Sequence, residues 1–109
     1  MYIYNVTINI DESVHQEWLK WMETHILEVL NTGRFLSAKL TQVLVDEEMG
    51  GVTYSVQYTA NTREDLDDYY KYNAKKLRDD SLKKFAGKTV AFRTELKIIN
   101  EFFPTVASN

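Results

Sequence analysis

Between Tyr2 and Ile10 the chain alternates with a period of two. Tyr2, Tyr4, Val6, Ile8 and Ile10 fall on one side, and Asn5, Thr7 and Asn9 on the other. One apolar edge and one polar edge predict a strand buried on a single face. Asp11-Glu12-Ser13 ends it, and Ser13 with Gln16 has the spacing of a capping box. From Val14 the period lengthens, gathering Val14, Trp18, Met22, Val29 and Leu30 on one side of a helix. Asn31-Thr32-Gly33 supplies a stop, because glycine enters the left-handed conformation at little cost.

Arg34 to Val45 returns to strand composition, and the glycine-bearing stretch Asp46-Glu47-Glu48-Met49-Gly50-Gly51 predicts a reversal. Val52 to Thr59 then alternates, with Val52, Tyr54, Val56 and Tyr58 against Thr53, Ser55, Gln57 and Thr59. The two segments read as a hairpin. Thr62 and Asp65 form a second capping box, and Glu64, Asp65, Asp67 and Asp68 crowd a helix start where the backbone dipole favours acids. Leu66, Tyr70, Leu77 and Phe85 carry that helix, with Lys83 and Lys84 near its end and a break expected around Asp79-Asp80. After Gly87, Thr89 to Ile98 alternates once more, placing Val90, Phe92, Leu96 and Ile98 together. Residues 1–100 read as one domain and residues 101–109 as a tail with a loose end.

Two strand-helix-strand units in succession have few arrangements. Right-handed crossovers put both helices on one face of a four-stranded antiparallel sheet, with the first and third strands central. This is an α+β domain of order β-α-β-β-α-β, the ferredoxin-like arrangement. In this reading the apolar side of every strand faces the helices. The opposite face collects Asn5, Thr7, Asn9, Thr41, Thr53, Ser55, Gln57 and Thr59. Such a face is either solvated or closed off by a second subunit's sheet.

Composition narrows the classes. At 109 residues there is room for one domain, and 44% hydrophobic with 27% charged residues is ordinary for a globular chain. A net charge of −3 argues against nucleic acid, which calls for a basic face. Cysteine is absent, which removes thiolate chemistry and fits a cytoplasmic setting. The opening MYIYNVTINIDESV lacks the basic start and apolar core of a leader, and no apolar run approaches the ~20 residues of a membrane helix. No membrane partner is expected.

The most informative local feature is a polar group on an apolar stripe. At ~100° per residue, Val14, Trp18, Trp21, His25 and Val29 fall within one narrow arc, with His25 near its middle. Asn73 falls likewise between Leu66, Tyr70 and Leu77. Polar groups so placed must find partners or forfeit ~1–3 kcal/mol. They bond to each other, to backbone, or to Tyr54 or Tyr58. Otherwise the helices roof a pocket lined by Tyr4, Trp18, Tyr54, Tyr58, Tyr70 and Phe92, with His25 and Asn73 as its polar handles. His25 is the candidate acid-base group, and Glu28, three residues on, stands at pairing distance along a helix. His15, in the first helical turn, is expected to face solvent. Two histidines ten residues apart make a poor metal site, so no metal and no cofactor is assigned. There is no nucleophile elbow, P-loop or dinucleotide fingerprint. An RNA-binding reading of the same strand order needs outward aromatics on the third strand, where Thr53, Ser55 and Gln57 stand instead. An acylphosphatase-like reading lacks its phosphate-binding arginine loop.

The opening YNVTINIDESVHQEWLKWM, the hairpin EEMGGVTYSVQY and the closing KTVAFRTELKII resemble a bacterial family described as a domain of unknown function, over the chain up to about Ile99. More distantly, Glu17-Trp18-Leu19-Lys20-Trp21-Met22-Glu23-Thr24-His25 is similar to the Trp-to-His helix of dimeric α/β-barrel proteins. That superfamily holds cofactor-independent monooxygenases, polyketide cyclases and haem-degrading enzymes, along with members lacking known activity. Many of them follow the histidine with proline, whereas Ile26-Leu27 follows here. The resemblance implies a ferredoxin-like domain paired through its polar sheet face as a homodimer, with His25 at the pocket. Three functions follow as expectations. The first is a dimeric protein binding a small hydrophobic or aromatic ligand between helices and sheet. The second is a cofactor-independent monooxygenase or cyclase-like enzyme using His25. The third is a structural or interaction protein with a filled core.

Overall fold

The computed structural model describes residues 1–46, 48 and 50–106. Strand β1 (Tyr2–Ile10) leads through one turn of 3-10 helix (Glu12–Val14) into helix α1 (His15–Leu30). Strands β2 (Ser37–Gln42) and β3 (Val52–Ala60) follow, then helices α2 (Arg63–Tyr72) and α3 (Ala74–Phe85), and strand β4 (Thr89–Lys97). The sheet order is β2-β3-β1-β4, with β1 antiparallel to β3 and β4, and β2 antiparallel to β3. The first and third strands are central, as two right-handed crossovers require. This is the ferredoxin-like arrangement.

The core is the helix side of β1 and β3. Tyr4, Val6 and Ile10 meet Tyr54, Val56, Tyr58 and Ala60 there, beneath Trp18, Met22 and Val29 of α1 and Leu66, Tyr69 and Leu77 of α2 and α3. Ile10, Trp18, Val29, Val56 and Leu66 are sealed from water. Each such side chain contributes ~1.5–3 kcal/mol through burial. At the hairpin, Gly51 adopts φ +80°, and a Cβ there would lie 2.7 Å from both Asn9 Oδ1 and the Ile10 carbonyl oxygen. Only glycine fits. The turn expected over 46–51 includes Glu47 and Met49, and the loose end expected in the tail includes 107–109; these lie outside the described residues.

Several expectations need correction. The second strand is Ser37–Gln42 and not the whole of Arg34 to Val45, since Phe35 turns into the core instead. The capping box of Ser13 and Gln16 does not form. Asp11 accepts from the Ser13 amide at 2.9 Å and caps the 3-10 turn, and α1 begins one residue after Val14 without a side-chain cap. At Thr62 the N-cap half of the box forms, Oγ1 accepting from the Asp65 amide at 3.1 Å, while the Asp65 carboxylate accepts from the Thr62 hydroxyl at 3.0 Å. The second helical region breaks at Asn73 and not at Asp79-Asp80. Lys75 pairs with Asp79 at 2.9 Å and Lys76 with Asp80 at 3.4 Å, so those acids support α3 from within.

The largest departure is β4. Its register sets Val90 opposite Asn9, Phe92 opposite Thr7 and Leu96 opposite Ile3. Directly paired residues share a sheet face, so this apolar row points away from the helices. Ala91, Arg93 and Glu95 take the helix side, opposite Ile8, Val6 and Tyr4. The cause lies in what the edge can reach. Arg93 bonds Tyr4, and Glu95 bonds Arg63 and Tyr70, whereas the reverse parity would strand both on the open face. Among the described residues no helix is long and apolar enough to cross a membrane.

Candidate functional site

A cavity of about 210 Å³ lies between α1, α3 and the sheet and opens over β4. Helical spacing builds one wall. Met22, His25 and Val29 are three and four residues apart along α1 and therefore share a face. Leu77, Arg78 and Ser81 do the same along α3. The floor is Tyr4, Val6 and Ile8 of β1 with Val56 and Tyr58 of β3, and Ala91 and Arg93 of β4 form the lip.

Tyr4 is the hub of the aromatic part. Its ring lies 5.5 Å from both Tyr69 and Tyr70, 6.0 Å from Tyr58 and 6.1 Å from Phe35, centroid to centroid. Its hydroxyl oxygen accepts from Arg78 Nη2 and from Arg93 Nε, each at 2.9 Å. Arg78 Nε is buried without a hydrogen bond. Burial pushes the Tyr58 and Tyr69 phenols up, and neighbouring tyrosine hydroxyls push the same way. Both are neutral groups at any physiological pH.

His25 stacks on Trp21, the rings 4.4 Å apart and 18° from parallel, and Trp21 meets Phe85 edge-on at 5.4 Å. Its Nδ1 is buried with no hydrogen-bond partner. Burial lowers the His25 pKa, and Glu28 and Asp80 oppose that without reversing it. The ring at the pocket wall is a neutral imidazole, able to take or give one proton.

The expected residues divide. Tyr4, His25 and Tyr58 come together at the cavity. Trp18 and Tyr54 pack against each other at 5.1 Å in the closed core. Tyr70 meets Tyr4 edge-on but gives its hydroxyl to Glu95 at 2.6 Å, and it does not line the cavity. Asn73, expected as a handle, sits at the junction of α2 and α3, where Oδ1 accepts from Arg34 Nε at 3.3 Å. Phe92, expected in the lining, is 61% exposed on the opposite sheet face, because β4 has the reverse parity. His15, expected in solvent, is half-buried with Nε2 2.6 Å from the Tyr54 hydroxyl. Arg78 and Arg93 were not in the expected set. The signal for Arg78 was present in the sequence, since Ala74, Leu77, Arg78 and Ser81 repeat at helical spacing. Arg93 carried none, because its strand was read on the wrong parity. Among the described residues no group of three His, Asp or Glu is placed to hold a metal.

Fold and cavity together define a class: a ferredoxin-like α+β domain with a small aromatic pocket, partly cationic, between its two layers. The chain belongs to the family described as domain of unknown function DUF4286, whose model matches residues 1–99. No curated protein matches it. Among solved structures it is similar to a dimeric ferredoxin-like protein from an uncultured marine organism (TM-score 0.70, 10% identity, 93% of this chain and 97% of that one). It is also similar to a variant of MhuD with two manganese protoporphyrin IX molecules per active site (TM-score 0.67, 16% identity, 95% and 100% covered). A third is a variant of SnoaB, a cofactor-independent oxygenase from Streptomyces nogalater (TM-score 0.64, 7% identity, 92% and 95% covered). At these identities the likeness is one of fold.

Proposed function

We propose that this chain is a homodimeric binding protein for a small hydrophobic or aromatic molecule, held between its helices and its sheet. The observation that carries this reading is the cavity of about 210 Å³ with the unpartnered His25 Nδ1 in its wall. A buried nitrogen without a partner costs free energy that a filled core has no reason to accept, and a ligand acceptor or donor would offset it. An interaction protein with a packed interior fits less well. Fluorescence titration with an aromatic probe such as 2-naphthol tests the reading through Trp21, which stacks on His25. Saturable quenching that is lost in a cavity-filling Val29→Trp variant is expected; quenching unchanged by that variant overturns it.

A second reading, a cofactor-independent oxygenase or cyclase, is favoured by the neutral, unbonded imidazole and by the likeness to SnoaB, which is described as such an oxygenase. His25→Ala separates the two once a substrate turns over. Lost turnover with retained binding indicates catalysis.

The dimer belongs to the same proposal, through the sheet face away from the helices. Several of its polar groups are paired within the sheet: Ser55 Oγ donates to Asn5 Oδ1 at 2.5 Å, and Asn9 Nδ2 to Thr53 Oγ1 at 3.2 Å. Covering satisfied groups costs little. Val90 and Phe92, 71% and 61% exposed, add an apolar row along the same face. A row of this kind on a free surface is unusual without a partner. Sedimentation equilibrium is expected to show a dimer at micromolar concentration and a monomer for Phe92→Glu; a wild-type monomer would refute it. We assign residues 1–100 to the domain and 101–109 to a tail, so truncation after Asn100 should leave a folded protein. A cytoplasmic setting is part of the proposal and is checked by cell fractionation.

A further inference from the structure

We infer that the ligand of this pocket is an organic anion, an apolar or aromatic body carrying a carboxylate, whose charge is taken by Arg78 and Arg93. The inference rests on the binding role proposed above and adds the chemical class of what is bound.

Two guanidinium groups converge on one atom. Arg78 from α3 and Arg93 from β4 each donate at 2.9 Å to the hydroxyl oxygen of Tyr4. A phenol oxygen offers two lone pairs, and these two donors take both of them. Neither arginine forms an ion pair among the described residues. The nearby acids are engaged elsewhere: Glu95 with Arg63 at 2.9 Å, Asp79 with Lys75 at 2.9 Å, and Asp80 with Lys76 at 3.4 Å. Arg78 Nε is moreover buried with no acceptor. Arginine presents five N–H donors in a planar fork suited to a carboxylate, and beyond the bonds to Tyr4 neither arginine makes another side-chain bond among the described residues.

Like charges this close repel, and repulsion is stronger where protein replaces water on one side. Two cations sharing one hydroxyl oxygen in the pocket lining are therefore in want of an anion. Ile8, Leu82 and Ala91 of the same lining, apolar and not sealed, would hold the apolar body. The lining is cationic at Arg78 and Arg93 and apolar elsewhere, which orients an amphiphilic acid with its carboxylate toward the two arginines.

A matched pair of probes tests this on the full-length protein by calorimetric titration: 2-naphthoate and its neutral amide, 2-naphthamide, at neutral pH and low salt. The acid should bind at least tenfold more tightly than the amide. Arg93→Met should remove most of that preference by weakening the acid, and Arg93→Lys should restore part of it. Arg78→Met should act in the same direction; if it fails to fold, the Arg93 pair decides alone. Equal binding of acid and amide by the wild type overturns the anion inference and leaves the pocket standing. A preference that survives Arg93→Met overturns it also. Binding of neither probe overturns both the inference and the binding role beneath it.

Discussion

The space between helices and sheet has two ends, and they treat the same kind of side chain differently. At the closed end, the Tyr54 hydroxyl meets His15 Nε2 at 2.6 Å and its ring lies 5.1 Å from Trp18. A tyrosine and a histidine there satisfy one another, and a tryptophan packs on the tyrosine ring. At the open end stand another tyrosine, histidine and tryptophan, namely Tyr4, His25 and Trp21. Here Tyr4 holds two cations, and His25 Nδ1 and Arg78 Nε are buried with no partner. Residue type therefore does not mark the site. Unmet hydrogen-bonding capacity does, because a fold spends stability to keep such atoms only where something else will use them.

The largest expected effect sharpens that contrast. Trp18 is 1% exposed and anchors the closed end, so Trp18→Ala should destabilise by ~3–5 kcal/mol in urea denaturation, through lost burial and the cavity left behind. Arg93→Met at the open end, where the side chain is exposed and makes one bond to Tyr4, should change stability by ~1 kcal/mol or less. Comparable losses would break the distinction between a packed end and a functional end. A smaller effect comes from Tyr54→Phe, which deletes the hydroxyl but not the ring. It should cost ~1 kcal/mol, the net worth of one hydrogen bond, while leaving ligand binding at the open end untouched. An altered probe affinity in that variant would show that the two ends are coupled.

The legibility of the molecule follows the same division. The central strands were readable because β1 and β3 are covered on one face only, so their alternation reports directly which side the helices occupy. The edge strand misled for a physical reason. Val90, Phe92 and Leu96 alternate as cleanly as the core strands, but alternation shows only that one face is apolar and not what covers it. On β4 the apolar row faces away from its own helices. That error carried Phe92 into the expected pocket and left Arg93 out of it. His25 was recognisable because a polar residue in the centre of an apolar arc is anomalous on its own. Asn73 looked equally anomalous only while the two short helices were read as one. With the break at Asn73, its side chain lies at a helix junction, where a polar residue is ordinary.

The finest test of the open end is its response to pH. Burial depresses the His25 pKa below the ~6.5 of an unfolded-chain histidine. A group harder to protonate in the folded state makes the unfolded chain the better proton binder. The stability this contributes is therefore complete above about pH 6.5 and is lost as pH falls through the lower folded value. Glu95, Asp79 and Asp11 are each held below the usual carboxylate range, Glu95 by its bond from Arg63, Asp79 by Lys75 and Asp11 by Ser13. Their losses belong to more acid solution, which leaves a window of about pH 6.5 to 5 for the histidine. Across it the urea midpoint of the wild type should decline modestly, and that of His25→Gln should stay nearly level. A ligand that occupies Nδ1 should flatten the wild-type slope if it accepts from a neutral N–H, and steepen it if it donates to the bare nitrogen, because each arrangement changes the cost of adding the proton. The direction of that change reads the tautomer in the pocket.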